Sequence, residues 1–538
     1  MIGADFMIKC LEEEGVDTVF GYPGVAICPF FNSMTNSNIR PILVRTEQNA
    51  AHAANGLARV TGKVGVCAVT SGPGATNLIT GIATAFADSI PLVCISGQVD
   101  SSLLGSDVFQ EADITGAAES FVKYSYLVRD AEDIPRIFKE AFHIANTGRK
   151  GPVLIDIPID VQNQTVGKFK YPEEAKMRTY KPTVKGNIVQ IQKVIKELGK
   201  TKRPVIYAGG GVFLADAQKE LQEFAEKFSL PVVSTMMGIG ALPTEHPLYF
   251  GMVGNNGRGY ANRAIREADL LIMVGARVAD RAVNQPELVL RDKVLVHIDV
   301  DPCEIGKNAG PTIPLVGDAK SIFEDLCKEE VENDHTVWLE TLRLHVQNMT
   351  PKHKADNEYV DPRAFIRMLS QKMDEDGIYV ADVGQNQIWS CAHHVVKKGR
   401  FLTSGGMGTM GYSLPAAMGA KIGCPDRQVV AVCGDGSFQM SMMELATMVQ
   451  HNVPVKMVIL NNKVLGMVRE YQHYSYKDNY TVIDLSGGPD FGKLAQAYGI
   501  PFIRVEKMEE AKAGIEKLLG TEGLVLMECL IDPTDLAK

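Results

Sequence analysis

Apolar residues in this chain gather in short unbroken runs, and each run gives way to glycine, aspartate or asparagine. Between the runs, apolar positions recur every three or four residues. Unbroken runs suit strands buried on both faces, and the three-to-four spacing marks the helices that cover them. Runs at 18–20, 42–44, 64–69, 92–96 and 153–157, with an amphipathic helix over 5–14, predict a first unit of alternating strands and helices. A helix over 188–198 and runs at 204–208, 232–235, 270–274 and 295–299 predict a second unit. Runs at 429–433 and 455–460 predict a strand–helix–strand element within a third. Stretches 163–187 and 347–361 are polar and aperiodic, so they read as linkers. The expected fold is α/β, with three doubly wound parallel-sheet domains over 1–162, 188–346 and 362–538.

Candidate chemistry is densest at 429–468. Gly434-Asp435-Gly436 ends the first buried run there, Met442, Leu445 and Val449 keep helical spacing, and Asn461-Asn462 ends the second run. Both polar ends therefore fall at the carboxyl ends of parallel strands, where open α/β sheets bind ligands. The Asp435 carboxylate and the Asn462 amide oxygen, completed by a backbone carbonyl, water and phosphate oxygens, suit Mg²⁺, a hard ion usually held by few protein ligands. The glycines let backbone approach a diphosphate, and a helix start after Gly436 turns free N–H groups toward it.

Charge and cysteine usage narrow the partners. The net charge of −9 is spread without acidic or basic blocks, which argues against nucleic acid or a membrane surface. The ten cysteines include no C-x-x-C pair, so neither a zinc site nor a disulfide framework is indicated. With no signal peptide or spanning run, a cytoplasmic protein is expected.

GDG and, one helix later, NN resemble the diphosphate motif of thiamine diphosphate (ThDP) enzymes. Glu47, in VRTEQNAAHAANGLARVTG, is by itself an ordinary helix-start charge. The resemblance makes it the carboxyl that faces the cofactor's aminopyrimidine ring. It also places VGQNQIW (383–389), with Gln385 and Asn386, at the diphosphate, and SGGMGTMGYSLPAA (404–417) at the pyrimidine. There the Gly408 carbonyl and Met410 backbone take the polar ring edge, and the Met410 side chain wedges beneath the rings. Gly434, Asp435, Gly436, Ser437, Asn462, Val464 and Met467 complete the implied ThDP site, with Asp435, Asn462 and Val464 as the Mg²⁺ ligands.

GYPG (21–24), TSGPGATN (70–77), DSIP (88–91) and SGQVDSSLLGSDVFQEAD (96–113) extend the resemblance to the acetolactate synthase large-subunit family over nearly the whole chain. It implies decarboxylation of pyruvate and transfer of the two-carbon unit to a second 2-oxo acid. Phe109 and Gln110 would line the substrate side, and Arg281 would clamp a carboxylate. In the middle domain YAGGG, STMMG, FGMVG, GARVADR, HIDVDP and GDAK are similar to the family's FAD-binding elements. They imply a structural FAD contacted by Arg178, Gly210, Gly211, Thr235, Met252, Gly275, Arg277, Asp299 and Asp318. From the residues alone, Gly-rich strand ends can approach a diphosphate and Asp299 can bind a ribose hydroxyl. The family further implies a homodimer or homotetramer, the first domain of one copy meeting the third of another, and a small regulatory subunit.

The chain departs from the family at several positions. Thr46 stands where histidine is common, Val25 where glycine is, Asp100 where proline is, and Tyr471 where biosynthetic members usually carry tryptophan. The family's closing tail is expected to be missing after residue 538. Alternatives from other classes are a ThDP-dependent decarboxylase or carboligase with a different acceptor, a flavin-dependent oxidase, and a non-catalytic paralogue kept for binding.

Overall fold

A computed structural model of the chain describes residues 1–283, 291–350 and 358–537; residues 351–357 of the expected second linker lie outside them. Among the described residues eighteen strands form three six-stranded sheets, with every strand pairing parallel. The first sheet holds β1 (Thr18–Tyr22), β2 (Arg40–Leu43), β3 (Gly65–Val69), β4 (Leu92–Gln98), β5 (Tyr124–Leu127) and β6 (Pro152–Pro158). The second holds β7 (Pro204–Ala208), β8 (Val232–Ser234), β9 (Tyr249–Met252), β10 (Leu270–Val274), β11 (Val294–Asp299) and β12 (Ile313–Val316). The third holds β13 (Ile378–Ala381), β14 (Arg400–Leu402), β15 (Val429–Gly434), β16 (Lys456–Asn461), β17 (Phe502–Val505) and β18 (Val525–Leu530).

Strand order carries information that sequence does not. The first sheet runs β2-β1-β3-β4-β6-β5 and the third β14-β13-β15-β16-β18-β17, the same wiring twice. The second runs β12-β11-β10-β7-β8-β9, the order of a dinucleotide-binding sheet, with its reversal between β7 and β10. At that reversal the glycines after β7 and β10 press together: a Cβ on Gly209 would lie 2.2 Å from the Gly275 carbonyl oxygen, and one on Gly211 2.5 Å from the Gly275 Cα. Only bare backbone fits such a contact, and it leaves the crevice mouth open for a ligand.

The first and third sheets share one hydrophobic core. It runs from Phe20, Ala53, Ala54 and Leu57 through Ala416, Ala417 and Met418 to Leu445 and Ile459. Its centre is the crossing of two helices, Glu47–Thr61 and Ser413–Gly423. Thr46 caps the first helix, accepting from the Asn49 N–H at 3.4 Å, and left-handed Gly62 (φ 72°) ends it. At the crossing a Cβ on Gly419 would stand 1.8 Å from the Ala53 carbonyl oxygen, and one on Gly56 2.0 Å from that of Ala416. Buried Glu444 ties the same junction, accepting from the Arg45 N–H at 2.8 Å and Asn49 Nδ2 at 3.0 Å.

One expected element differs. The helical stretch after Gly436 is broken into Asp435–Gln439 and Glu444–Gln450, so the helix begins at Asp435 and Met442 lies in the break. The turn between them swings Glu444 inward to its partners on the first unit, a long-range demand that helical spacing cannot register.

Candidate active site

Three strand ends of the third sheet converge at its switch point, where strand order turns from β13 to β15. After β13, Asn386 donates through Nδ2 to the Asp382 carbonyl (2.9 Å) and the Val432 carbonyl (3.1 Å), which fixes its Oδ1 toward Gly384 and Gly434. After β15, Ser437 Oγ accepts from the Gly434 N–H at 3.1 Å and closes the GDG turn. After β16, Asn462 Nδ2 donates to Gln385 Oε1 at 3.2 Å, and Asn462 Oδ1 accepts from the Val464 N–H at 3.2 Å. Gly466 must be glycine here, because a Cβ would meet Gln385 Oε1 at 1.9 Å.

Asp435 is 3% exposed. Burial lifts its carboxyl to about 6, against backbone N–H groups of Asp435, Gly436 and Lys463 that stabilise the anion. Of those donors only Lys463 belongs to the 461–464 loop, where its N–H also donates to Asn461 Oδ1 at 3.0 Å. A carboxylate raised by burial and short of a countercharge suits a cation. Asp435, the Asn462 amide and the Val464 carbonyl are few and all hard oxygen donors, which fits Mg²⁺ with phosphate oxygens filling the remaining positions. Among the described residues no group of three His, Cys, Asp or Glu gathers into a metal cluster.

The loop over 404–412 is clamped by two acids that sequence reasoning passed over. Asp382, fully buried, accepts from the Gly411 N–H (2.9 Å) and the Ser413 N–H (2.8 Å), and burial raises its carboxyl. Asp88, on the first unit, accepts from the Gly406 N–H at 2.7 Å and is paired with buried Arg59 at 2.6 Å. Thr84 and Thr409 hydroxyls meet at 2.7 Å. So held, Gly408 takes a left-handed φ of 69°, and the Met410 methyl lies 3.7 Å from where a Gly436 Cβ would stand. Asp88 was visible only as part of DSIP; the signal for Asp382 was an acid directly after an apolar run and upstream of a Gly-rich loop.

A second group sits on the first unit. Glu47 opens the Glu47–Thr61 helix, and its Oε2 accepts from Asn77 Nδ2 at 2.9 Å. Gln110, at φ 60°, packs against Gly72, and Phe109 is 87% exposed rather than in the core. Among the described residues the hydrogen bond that Glu47 makes through its carboxylate is to Asn77, within this first-unit group. Tyr471 lies on the Gly466–Tyr476 helix and is 61% exposed.

A cavity of ≈ 850 Å³ joins the middle sheet to the ThDP-type loops, at the upper end of ligand-pocket size. Gly210, Gly211, Thr235, Met252, Gly275, Arg277, Asp299 and Asp318 all line it, as do Arg281, Gly408, Met410 and Met467. Arg178 does not; the neighbouring 182–184 segment does. Burial raises the Asp299 carboxyl to about 6. Asp318 accepts from the Ser321 N–H at 3.2 Å, capping a helix at the cavity rim. Lys150 and Glu304, which the sequence did not single out, also face the space.

Such a cradle defines a class, and comparison with known families agrees. Residues 1–117, 191–326 and 382–529 match the N-terminal TPP binding, central and C-terminal TPP binding domains of thiamine pyrophosphate enzymes. At the level of whole chains, the protein is 42% identical over 99% of its length to a probable acetolactate synthase large subunit of Methanocaldococcus jannaschii, covering 93% of that protein. It is 43% identical over 96% of its length to the acetolactate synthase large subunit of Corynebacterium glutamicum, covering 84% of it. It is 40% identical over 99% of its length to acetolactate synthase isozyme 3 large subunit of Escherichia coli, covering 95% of it. The chain belongs to the acetolactate synthase large-subunit family.

Proposed function

We propose that this chain decarboxylates pyruvate on ThDP and joins the two-carbon unit to a second 2-oxo acid. The product is 2-acetolactate, or 2-aceto-2-hydroxybutyrate from 2-oxobutyrate, the first common step of branched-chain amino acid synthesis. The observation that carries the reading is the near-full-length likeness to acetolactate synthase large subunits in a chain that keeps Glu47, Asp435 and Asn462.

ThDP, when bound, supplies a carbon nucleophile and a sink for the electron pair left as CO₂ departs. The chain's own residues orient and exclude. Asp435, Asn462 and the Val464 carbonyl would hold Mg²⁺, and Gln385, Asn386, Gly434, Gly436, Ser437 and Met467 would surround the diphosphate. The Gly408 carbonyl and Met410 backbone would take the pyrimidine edge, and the Met410 side chain would support the rings from below. Glu47 would hold a proton between its carboxyl and a pyrimidine nitrogen. We assign the pairing of Glu47 with the cofactor to two copies, as the family likeness suggests, so a homodimer is the smallest working unit and a homotetramer a further assembly. Arg281, 84% exposed at its side chain, would pair with the acceptor's carboxylate beside Phe109 and Gln110. FAD would fill the large cavity along the glycines at the β7–β10 reversal and serve as structure, with Arg178 reaching it only if the 163–187 linker shifts.

A small regulatory subunit is the further partner that the large-subunit likeness suggests. No described helix is long and apolar enough to cross a membrane. All ten cysteines are free, which fits a reducing cytoplasm.

The test is pyruvate turnover with ThDP and Mg²⁺, with and without FAD, followed by product identification. Acetolactate is the expected product; acetaldehyde without acetolactate would transfer the chain to the simple decarboxylases. A narrower expectation concerns Tyr471. Tyr471→Trp should raise the preference for 2-oxobutyrate over pyruvate in a competition assay. A single methylene is worth only about 1–3 kcal/mol in a pocket, so a gain of roughly tenfold is expected, and no change would take Tyr471 out of the acceptor wall.

A further inference from the structure

Beside the large cavity lies a second one of ≈ 430 Å³, walled by Arg59, Lys150, Phe213, Gln218 and Arg400 among others. Its charges do not balance. Of its two carboxylates, Asp88 is engaged by Arg59 at 2.6 Å, and Asp216, 85% exposed, by Lys320 at 3.2 Å. Among the described residues neither Lys150 nor Arg400 makes an ion pair, and Asp216 and Asp318 act on Lys150 only from a distance.

Arg400 is the more telling of the two. Its guanidinium lies 4.0 Å from the Phe213 ring centroid. That stack satisfies the face of the group and leaves its donors to the edge. Nε is sealed from solvent with no acceptor, and Gln218 Oε1 in the same wall is sealed with no donor. Burial, reinforced by the charges of Arg59 and Arg427 and only partly opposed by Asp216 in the same wall, pushes Arg400 down to about 9. A guanidinium does not surrender its proton in a protein, so that pressure expresses a fixed cation lacking its counterion. Arg400 is half-buried with its Nε sealed, and a cation so placed without a partner is unfavourable; here an empty volume adjoins it.

We propose that this second cavity is an anion-binding site. Its ligand carries a carboxylate or phosphate group, and that oxyanion sits on the guanidinium edge of Arg400 with Lys150 at its flank. The site is separate from the proposed cofactor cradle but shares a partition with it: Lys150, Gly210, Leu214 and Met237 border both cavities. Through Arg59 and Asp88 it also touches the Gly405–Gly406 backbone.

Calorimetric titration of the full chain, loaded with ThDP, Mg²⁺ and FAD, tests this with inorganic phosphate in one arm and malonate in the other. At least one arm should give a saturable one-site isotherm, and the arm that does so identifies the oxyanion. Arg400 lines the second cavity and not the large one. Arg400→Met should therefore weaken binding roughly tenfold or more, as expected for losing a charge-assisted hydrogen bond, and Arg400→Lys should fall between. If Arg400→Met does not fold, Arg400→Lys, which keeps the charge and the stem, must still bind more weakly than wild type. No saturable binding of either anion at tens of millimolar, or wild-type affinity in the variant, would overturn the proposal.

Discussion

Replacing Glu47 with glutamine is expected to lower pyruvate turnover by about 10²–10⁴-fold, the range lost when a positioned acid–base group is removed, with ThDP and Mg²⁺ still bound. The substitution is nearly isosteric. Glutamine keeps the length of the side chain, still offers Asn77 Nδ2 an oxygen in place of Oε2, and leaves the Thr46 cap of the helix untouched. Only the titratable proton is lost. Steady-state pyruvate consumption measures the first half of the expectation, and calorimetric ThDP affinity the second. Wild-type turnover in the variant would remove the carboxyl from the proposed chemistry; lost affinity would recast Glu47 as a binding group.

Gly419→Val is expected to destabilise the chain by about 3 kcal/mol or more and to depress soluble yield. Overpacking a core typically costs about 1–3 kcal/mol when side chains can yield. Here the obstacle is backbone: the Ala53 carbonyl oxygen stands 1.8 Å from where the new Cβ must go. The helices Glu47–Thr61 and Ser413–Gly423 have to separate, opening the alanine-lined core between the first and third sheets. Because Glu47 starts one of those helices, whatever folded fraction survives should also lose activity. Gly520→Ala is the control. Nothing lies within 4 Å of a Cβ there, so thermal unfolding should match wild type. Equal unfolding midpoints for the Gly419 variant and the control would show the crossing to be slack.

Much of the fold was legible because central parallel strands are apolar on both faces. Pro204–Ala208 and Leu270–Val274 coincide with their runs, and Val429–Gly434 extends its run by one residue. The strands not read from sequence lie mainly toward the edges. β5 is YSYL, exposed or half-buried along its length, and β14 has only three residues; neither shows a run. The site divides in a similar way. Asp435, Asn462 and the glycines were legible because strand ends announce them. Asp88 and Asp382 were not, because each works by accepting backbone N–H groups from a loop hundreds or tens of positions away, which leaves no local spacing to read. The placement of Glu47 and Asp435 on different sheets was legible in advance, because the runs already divided the chain into separate units.

The shared core has a consequence in time. Ala53 and Gly419 meet in the finished molecule yet lie far apart along the chain. At about 5–20 residues per second of synthesis, the alanine face of the early helix leaves the ribosome roughly twenty to seventy seconds before its mate exists. For that interval a flat apolar ridge is open to chance encounters. Nascent copies of this polypeptide thus have their greatest need of chaperone shelter midway through translation, while the central sheet is still being made.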